Sequence, residues 1–352
     1  MHTETVPCGG DGEPDEECLA LCDQAGCEVL ASTELIKALK IAMYILLWFA
    51  LSTGYNIENK VRLNMLPLPF IQSAASLATG TFFVAFLWTT GLRKAPQLNK
   101  EAIWTYAPIA FCHSLGHITA VVSATYGAVS FTQIVKAAEP VFTCALSFFI
   151  LGSSVSLLTA MSLLPVVAGV ALASVTELSF TWLSFAGAMA SNLAFATRNL
   201  FSRASMDKPK GRNMTPENLF GVLTVMSFLV ALPLAILIEG PIALSKWSVA
   251  VASTPPSAIM KSTVFTGLYF YTYNEVAMLA LNNVHPVTHA VANTLKRVVI
   301  LLSCVLFFRT PMTPACIAGS SIAILGSTAY SFAKKRDARL AKDNSEEKQS
   351  GK

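Results

Sequence analysis

The sequence predicts an all-α membrane protein of ten transmembrane helices, arranged as two inverted five-helix repeats. Three observations lead there. The 352 residues are 53% hydrophobic and 13% charged, with a mean hydropathy of +0.55, which excludes an ordinary water-soluble domain. Apolar runs of about 20 residues, the length that crosses a bilayer as a helix, recur from Leu35 to Phe332. Gln133 stands three residues before Lys136 and Asn293 three before Lys296, so each half offers an amide, a mid-span lysine and then an apolar run. Five spans per half is an odd number, which sets the two repeats in opposite orientation with a shared site near the midplane.

The spans follow in order. The first is expected over Leu35–Tyr55, with Asn56, Asn59, Lys60 and Arg62 marking a membrane exit, and the second over Leu68–Leu92. The third, Trp104–Tyr126, carries His113 and His117 four apart on one face; without a third ligand nearby they are expected to be hydrogen-bonded core groups, not a metal site. The fourth, Val129–Leu151, places Lys136 three residues before Glu139, within reach along one face, and Pro140 should bend or break the helix beside both charges. The fifth is Leu157–Val175. The sixth, Phe180–Ser202, sets Phe195 and Arg198 three apart. The seventh, Leu219–Ile238, holds no charge, and Pro241–Ser253 reads as a short surface segment with Trp247 at the interface. The eighth, Met260–Leu281, contains YFYTYNE, with Tyr269 and Tyr273 four apart and Glu275 as a buried acid. The tenth is Thr313–Phe332. A transporter domain thus spans 35–333, with repeats at about 35–177 and 178–333. It follows an acidic, disordered tail (1–34) and precedes a charged one (334–352). Basic residues concentrate on the side of the two termini, which makes that side cytosol-like.

The ninth span, His285–Arg309, organises the chemistry. Lys296 and Arg297 sit near its middle with apolar residues on either side. Charges at that depth are expensive and usually face a polar cavity, whereas a snorkelling pair would lie at a helix end. His289, Asn293 and Lys296 share one flank. Four buried cations, Lys136, Arg198, Lys296 and Arg297, stand against two buried acids, Glu139 and Glu275. An excess of two suits an anion of matching charge, and a phosphate monoester carries about −1.5 to −2. Arginine grips phosphate through paired hydrogen bonds and lysine adds a point charge. An empty carrier would occlude bare cations, which points to obligatory exchange.

NIENK after span one, SFTQIVKAAEP in span four, YTYNE in span eight and THAVANTLKR in span nine resemble the plastid triose-phosphate/phosphate translocators of the drug/metabolite transporter superfamily. The resemblance covers nearly all of residues 35 to 333. It implies an antiporter, not an enzyme, exchanging inorganic phosphate for phosphorylated three-carbon compounds (triose phosphate, 3-phosphoglycerate, phosphoenolpyruvate), with no metal and no other cofactor. It also implies roles: Lys136, Lys296 and Arg297 hold the phosphate, Tyr273 donates to the substrate, His117 and Arg198 face its other end, and Phe195 helps close the pocket. The sequence departs from the family pattern at Gln133, where His is common, at Ala120, where a small hydroxyl residue is common, and at the N-terminus, which is unlike a transit peptide. The address implied is a plastid envelope or a complex-plastid membrane such as that of an apicoplast.

Two rivals remain open at this level. A nucleotide-sugar or other sugar-phosphate carrier of the same superfamily needs a larger pocket. A membrane-embedded hydrolase needs a nucleophile with a base, or paired metal-binding acids, and neither is visible. The net charge of +4 is spread over loop ends and forms no nucleic-acid patch. Cys8, Cys18, Cys22 and Cys27 lack the spacing of a zinc site, while Cys112, Cys144, Cys304 and Cys316 lie in apolar runs as small hydrophobes.

Overall fold

The computed structural model describes residues 16–152, 155–205, 211–283 and 286–350. They form α1 (Glu16–Met65), α2 (Pro69–Thr89), α3 (Lys100–Tyr126), α4 (Val129–Lys136), α5 (Glu139–Leu151), α6 (Leu157–Met161), α7 (Leu163–Thr176), α8 (Trp182–Ala204), α9 (Pro216–Ser253), α10 (Pro256–Asn283), α11 (Pro286–Phe308) and α12 (Pro314–Ser350). The β pairing among the described residues is a single bridge, Gln97 with Arg212, tying the α2–α3 loop to the α8–α9 loop. The all-α expectation therefore holds. Among the described residues, six helical runs are long and apolar enough to cross a membrane: Pro69–Thr89, Lys100–Tyr126, Val129–Ile150, Leu157–Thr176, Pro216–Ser253 and Pro314–Asp337. The other long helices, α1, α8, α10 and α11, carry interior polar residues such as Asn56, Arg198, Asn274 and Lys296. Large apolar side chains point outward, with Val175, Phe149 and Leu306 86, 80 and 77% exposed, a surface suited to hydrocarbon.

With no water to squeeze out between helices in a bilayer, small residues and interhelical hydrogen bonds hold the bundle. The main packing pairs are α1 with α10, α2 with α9, α3 with α8 and α7 with α12. On the α3–α8 seam Ser184 Oγ donates to the Ser123 carbonyl at 2.9 Å and Ser191 Oγ to that of Gly116 at 2.9 Å. The α7–α12 crossing is closest. A Cβ on Gly319 would come within 2.6 Å of the Ala173 backbone nitrogen, leaving no room for a side chain. Gly319→Val is therefore expected to destabilise by about 1–3 kcal/mol through overpacking, read as a lower unfolding midpoint in detergent. Ser321→Val, on the exposed face of the same helix, should leave the midpoint unchanged.

Two expectations need correction. The first helix does not end near Asn56 but continues to Met65, and its polar residues find partners in neighbouring helices. Lys60 Nζ donates to the Ala124 and Gly127 carbonyls at 2.7 and 3.0 Å, and Arg62, 3% exposed, donates to Thr263 Oγ1 at 2.6 Å and the Leu66 carbonyl at 2.9 Å. Pro241–Ser253 is not a separate surface segment; it continues α9, with Trp247 packed against the buried cluster of Leu66, Leu68, Ala250 and Ile259. Glu239 on that helix is 5% exposed and accepts the Ile71 backbone N–H at 2.8 Å, supplying the start of α2 with the acceptor its Leu68 cap lacks. Backbone helicity runs back to Glu16 and on to Ser350; residues 334–350 are rich in Lys, Ala, Glu and Arg, all good helix formers.

Candidate functional site

The site is built around the break in the fourth apolar run. Pro140 has no N–H to give the carbonyl four residues back, so the Lys136 oxygen loses its helical partner. The chain responds by tightening: Ala137 N bonds to the Ile134 carbonyl and Ala138 N to that of Val135, at 3.0 and 3.1 Å, before α5 restarts at Glu139. Arg297 fills the break from α11. One terminal nitrogen donates to the orphaned Lys136 carbonyl and the other to Glu139 Oε2. Glu139 thus pairs with Arg297 and not, as the spacing suggested, with Lys136, because the break turns the two out of helical register. The network continues laterally: Asn199 Nδ2 donates to Glu139 Oε1 at 3.3 Å, Arg198 donates to Asn199 Oδ1 at 2.9 Å, and its other terminal nitrogen meets His113 Nδ1 at 3.1 Å. An arginine only donates, so His113 accepts there.

These groups line a cavity of about 590 Å³ between α1, α3, α4, α5, α8, α10 and α11, within the usual size of a ligand pocket. Lys136, Lys296, Arg297, Tyr273, His117, Arg198 and Phe195 all face it. Lys136 Nζ lies 4.8 Å from the Phe195 ring centre and Arg198 Cζ lies 5.0 Å from it; Lys296 Nζ lies 4.4 Å from the centre of Trp48. Aromatic faces stabilise cations without consuming their N–H donors, so positive charge is held in place and its hydrogen bonds stay available. The Phe270 ring stacks on His117 with centres 4.0 Å apart, and Tyr55 stands 5.3 Å from Tyr273. Val121, Ala124, Val129 and Ile300, from a buried apolar cluster, also line it, and so does the exposed Arg203.

The charge balance differs from the sequence count. Glu275 is not a cavity acid: both its oxygens take the terminal nitrogens of Arg93, at the end of α2. Among the described lining residues, Lys136, Arg198, Lys296 and Arg297 face the single carboxylate of Glu139, an excess of three instead of two, with exposed Arg203 as a further cation of the lining. No group of three or more His, Cys, Asp or Glu able to hold a metal occurs among the described residues. Trp48, Tyr55, Asn56, Asn59 and Asn199 were not anticipated in the site. Trp48, Ser52, Tyr55, Asn56 and Asn59 share one helical face, a stripe that α1 showed in its sequence. Gln133 and Asn293, the paired amides, also line the cavity, and Gln133 Nε2 donates to Asn56 Oδ1 at 2.9 Å. His285 and the side chain of His289 lie outside the described residues.

Residues 39–331 match the Triose-phosphate Transporter family. The chain belongs to that family. It is 39% identical over 303 residues to glucose-6-phosphate/phosphate translocator 1, chloroplastic, of Arabidopsis thaliana, covering 86% of this chain and 77% of that one. Against phosphoenolpyruvate/phosphate translocator 3, chloroplastic, of Oryza sativa subsp. japonica it is 39% identical over 301 residues, covering 86% and 76%. Against the triose phosphate/phosphate translocator, chloroplastic, of Pisum sativum it is 37% identical over 329 residues, covering 91% and 81%. This member of the Triose-phosphate Transporter family is a membrane transporter and not an enzyme. The two carboxylates should separate in function. Glu275→Gln is expected to lower the unfolding midpoint, since it weakens a largely buried pairing with Arg93, while transport persists. Glu139→Gln should lower transport more than stability. Liposome uptake and thermal unfolding measured on both variants check this.

Proposed function

We propose that the protein is an antiporter that exchanges inorganic phosphate for phosphorylated three-carbon compounds, namely triose phosphate, 3-phosphoglycerate and phosphoenolpyruvate, across a plastid membrane by alternating access. The observation that carries this reading is the cavity within the helix bundle in which Lys136, Arg198, Lys296 and Arg297 face one carboxylate. Such a cavity favours a small multivalent anion and disfavours staying empty. In this reading Lys136, Lys296 and Arg297 hold the phosphate, Tyr273 donates a hydrogen bond to the substrate, His117 and Arg198 bound its far end, and Phe195 closes the wall. Phosphate is the partner common to the names of the three relatives.

Alternating access follows from two inverted repeats of five spans, at about 35–177 and 178–333 within a transporter domain of 35–333. Taking α4–α5 and α6–α7 as one span each gives ten. Moving every span by five then exchanges the packing pairs: α3 with α8 becomes α10 with α1, and α3 with α9 becomes α10 with α2, while α2 with α9 and α7 with α12 map onto themselves. All are main contacts, which supports the symmetry. Lys60 and Arg62 are buried among helices, so fewer basic residues face the side opposite the termini, in favour of a cytosol-like side for both ends.

A hexose phosphate is the second reading, favoured by the similarity to a glucose-6-phosphate/phosphate translocator. Purified protein in phosphate-loaded liposomes decides between them. Exchange should be fastest with one of the three-carbon compounds; preference for glucose 6-phosphate would move the substrate class, and exchange of nucleotide sugars unaffected by inorganic phosphate would overturn the proposal. His117→Ala should retain phosphate-for-phosphate exchange but narrow the differences among the three-carbon compounds, because the imidazole is packed on the Phe270 and Tyr55 rings and is not one of the four cations facing Glu139. An unchanged ranking would remove His117 from the site.

A further inference from the structure

A second cavity, of about 570 Å³, lies between α5, α7 and α8, separate from the polar site. Its lining is apolar except for Ser174, whose hydroxyl is spent on the Val170 carbonyl at 2.7 Å. A water needs two or more polar partners to be held, and this cavity offers none to spare. Its floor is deep, with Ala138, Val170 and Ser174 5, 3 and 7% exposed. Its rim is not: Trp182 is 76% exposed and Ala171 is also open. Two of its walls belong to the apolar runs Val129–Ile150 and Leu157–Thr176, so the mouth is continuous with the lipid-facing surface, and Trp182 has the amphipathic character of an interface residue.

We propose that this cavity is a binding site for one acyl chain of a bilayer lipid, entering beside Trp182 and reaching Ala138. The apolar lining excludes a charged or hydrogen-bonding solute, and the mouth opens where hydrocarbon is the solvent. The floor residue Ala138 is followed directly by Glu139 of the polar cavity, so the chain end sits behind the α4–α5 break, with the backbone of that break between lipid and transported anion.

The test uses full-length protein in liposomes containing a phosphatidylcholine with a diazirine at mid-chain, photolysed and mapped by peptide mass spectrometry. Val170 and Ser174, though nearly inaccessible from the open surface, should be labelled at least as strongly as exposed Leu325 on α12. Ala171→Trp, which places a bulky ring at the mouth, should reduce labelling of that floor severalfold and leave Leu325 unchanged. Ser174→Cys, a small change, gives a measurement that does not depend on a large side chain being tolerated: it should resist a charged, water-borne methanethiosulfonate reagent. An unlabelled floor in the unmodified protein, or ready modification of Ser174→Cys by that reagent, would overturn the proposal. Neither readout depends on which anion is transported.

Discussion

Lys296→Ala and Lys136→Ala are each expected to bring phosphate exchange close to the protein-free background, with the fold retained. Truncating a charge that contacts a buried, oppositely charged partner costs about 2–5 kcal/mol, a loss of about 30-fold or more. Both ammonium groups rest on aromatic faces, Lys136 on Phe195 and Lys296 on Trp48, so neither is committed to another residue's carboxylate among the described residues. Arg297 is different. It bonds to the Lys136 carbonyl and to Glu139 at once, a divergent pair of hydrogen bonds for which a planar guanidinium is suited and an ammonium is not. Arg297→Lys is therefore expected to fail in exchange although the charge is kept, and to lower the unfolding midpoint as well, since the carbonyl freed by Pro140 loses its donor. Exchange assays paired with thermal unfolding check both parts. Near-normal transport by the Arg297→Lys protein would show that the guanidinium geometry is dispensable.

Liposomes lacking an internal phosphorylated anion are expected to take up almost no labelled phosphate, while preloading with phosphate should restore uptake many-fold. The reason is the excess of three cations in the cavity: occluding them without an anion leaves buried charge uncompensated, a penalty of several kcal/mol. Arg198→Gln should raise the ratio of uptake into empty liposomes to uptake into loaded ones. Arg198 is held by His113 and Asn199, so its loss removes a charge yet leaves Lys136, Lys296 and Arg297 to bind. The measurement is labelled-phosphate uptake into empty and loaded liposomes, side by side. Efficient uptake into empty liposomes by the unmodified protein would show that the charge excess does not enforce exchange.

Much of the site was legible because buried charge is rare in apolar sequence. Lys136, Arg198, Lys296 and Arg297 stand out against their surroundings, and all four reach one cavity. Trp48, Tyr55 and Asn199 did not stand out, since an aromatic or amide residue in a span is ordinary and acquires a role only from its neighbour. Trp48 matters because Lys296 crosses to it, and Asn199 because Glu139 does. Asn56 to Arg62, read as the exit of the first span, stay helical and meet partners from facing helices, which polarity alone does not reveal.

The sequence by itself determined the all-helical membrane character, through the length and recurrence of apolar runs, and the break at Pro140, through the missing N–H. Those are local properties of the chain, independent of what packs against it. Only the tertiary structure decided which charges meet. Glu139 could have paired with Lys136 on its own segment but joins Arg297 from α11, and Glu275, which looked like a cavity acid, is taken by Arg93. Ion pairing depends on distances of a few ångströms between helices remote in sequence, and that information enters only when the helices pack.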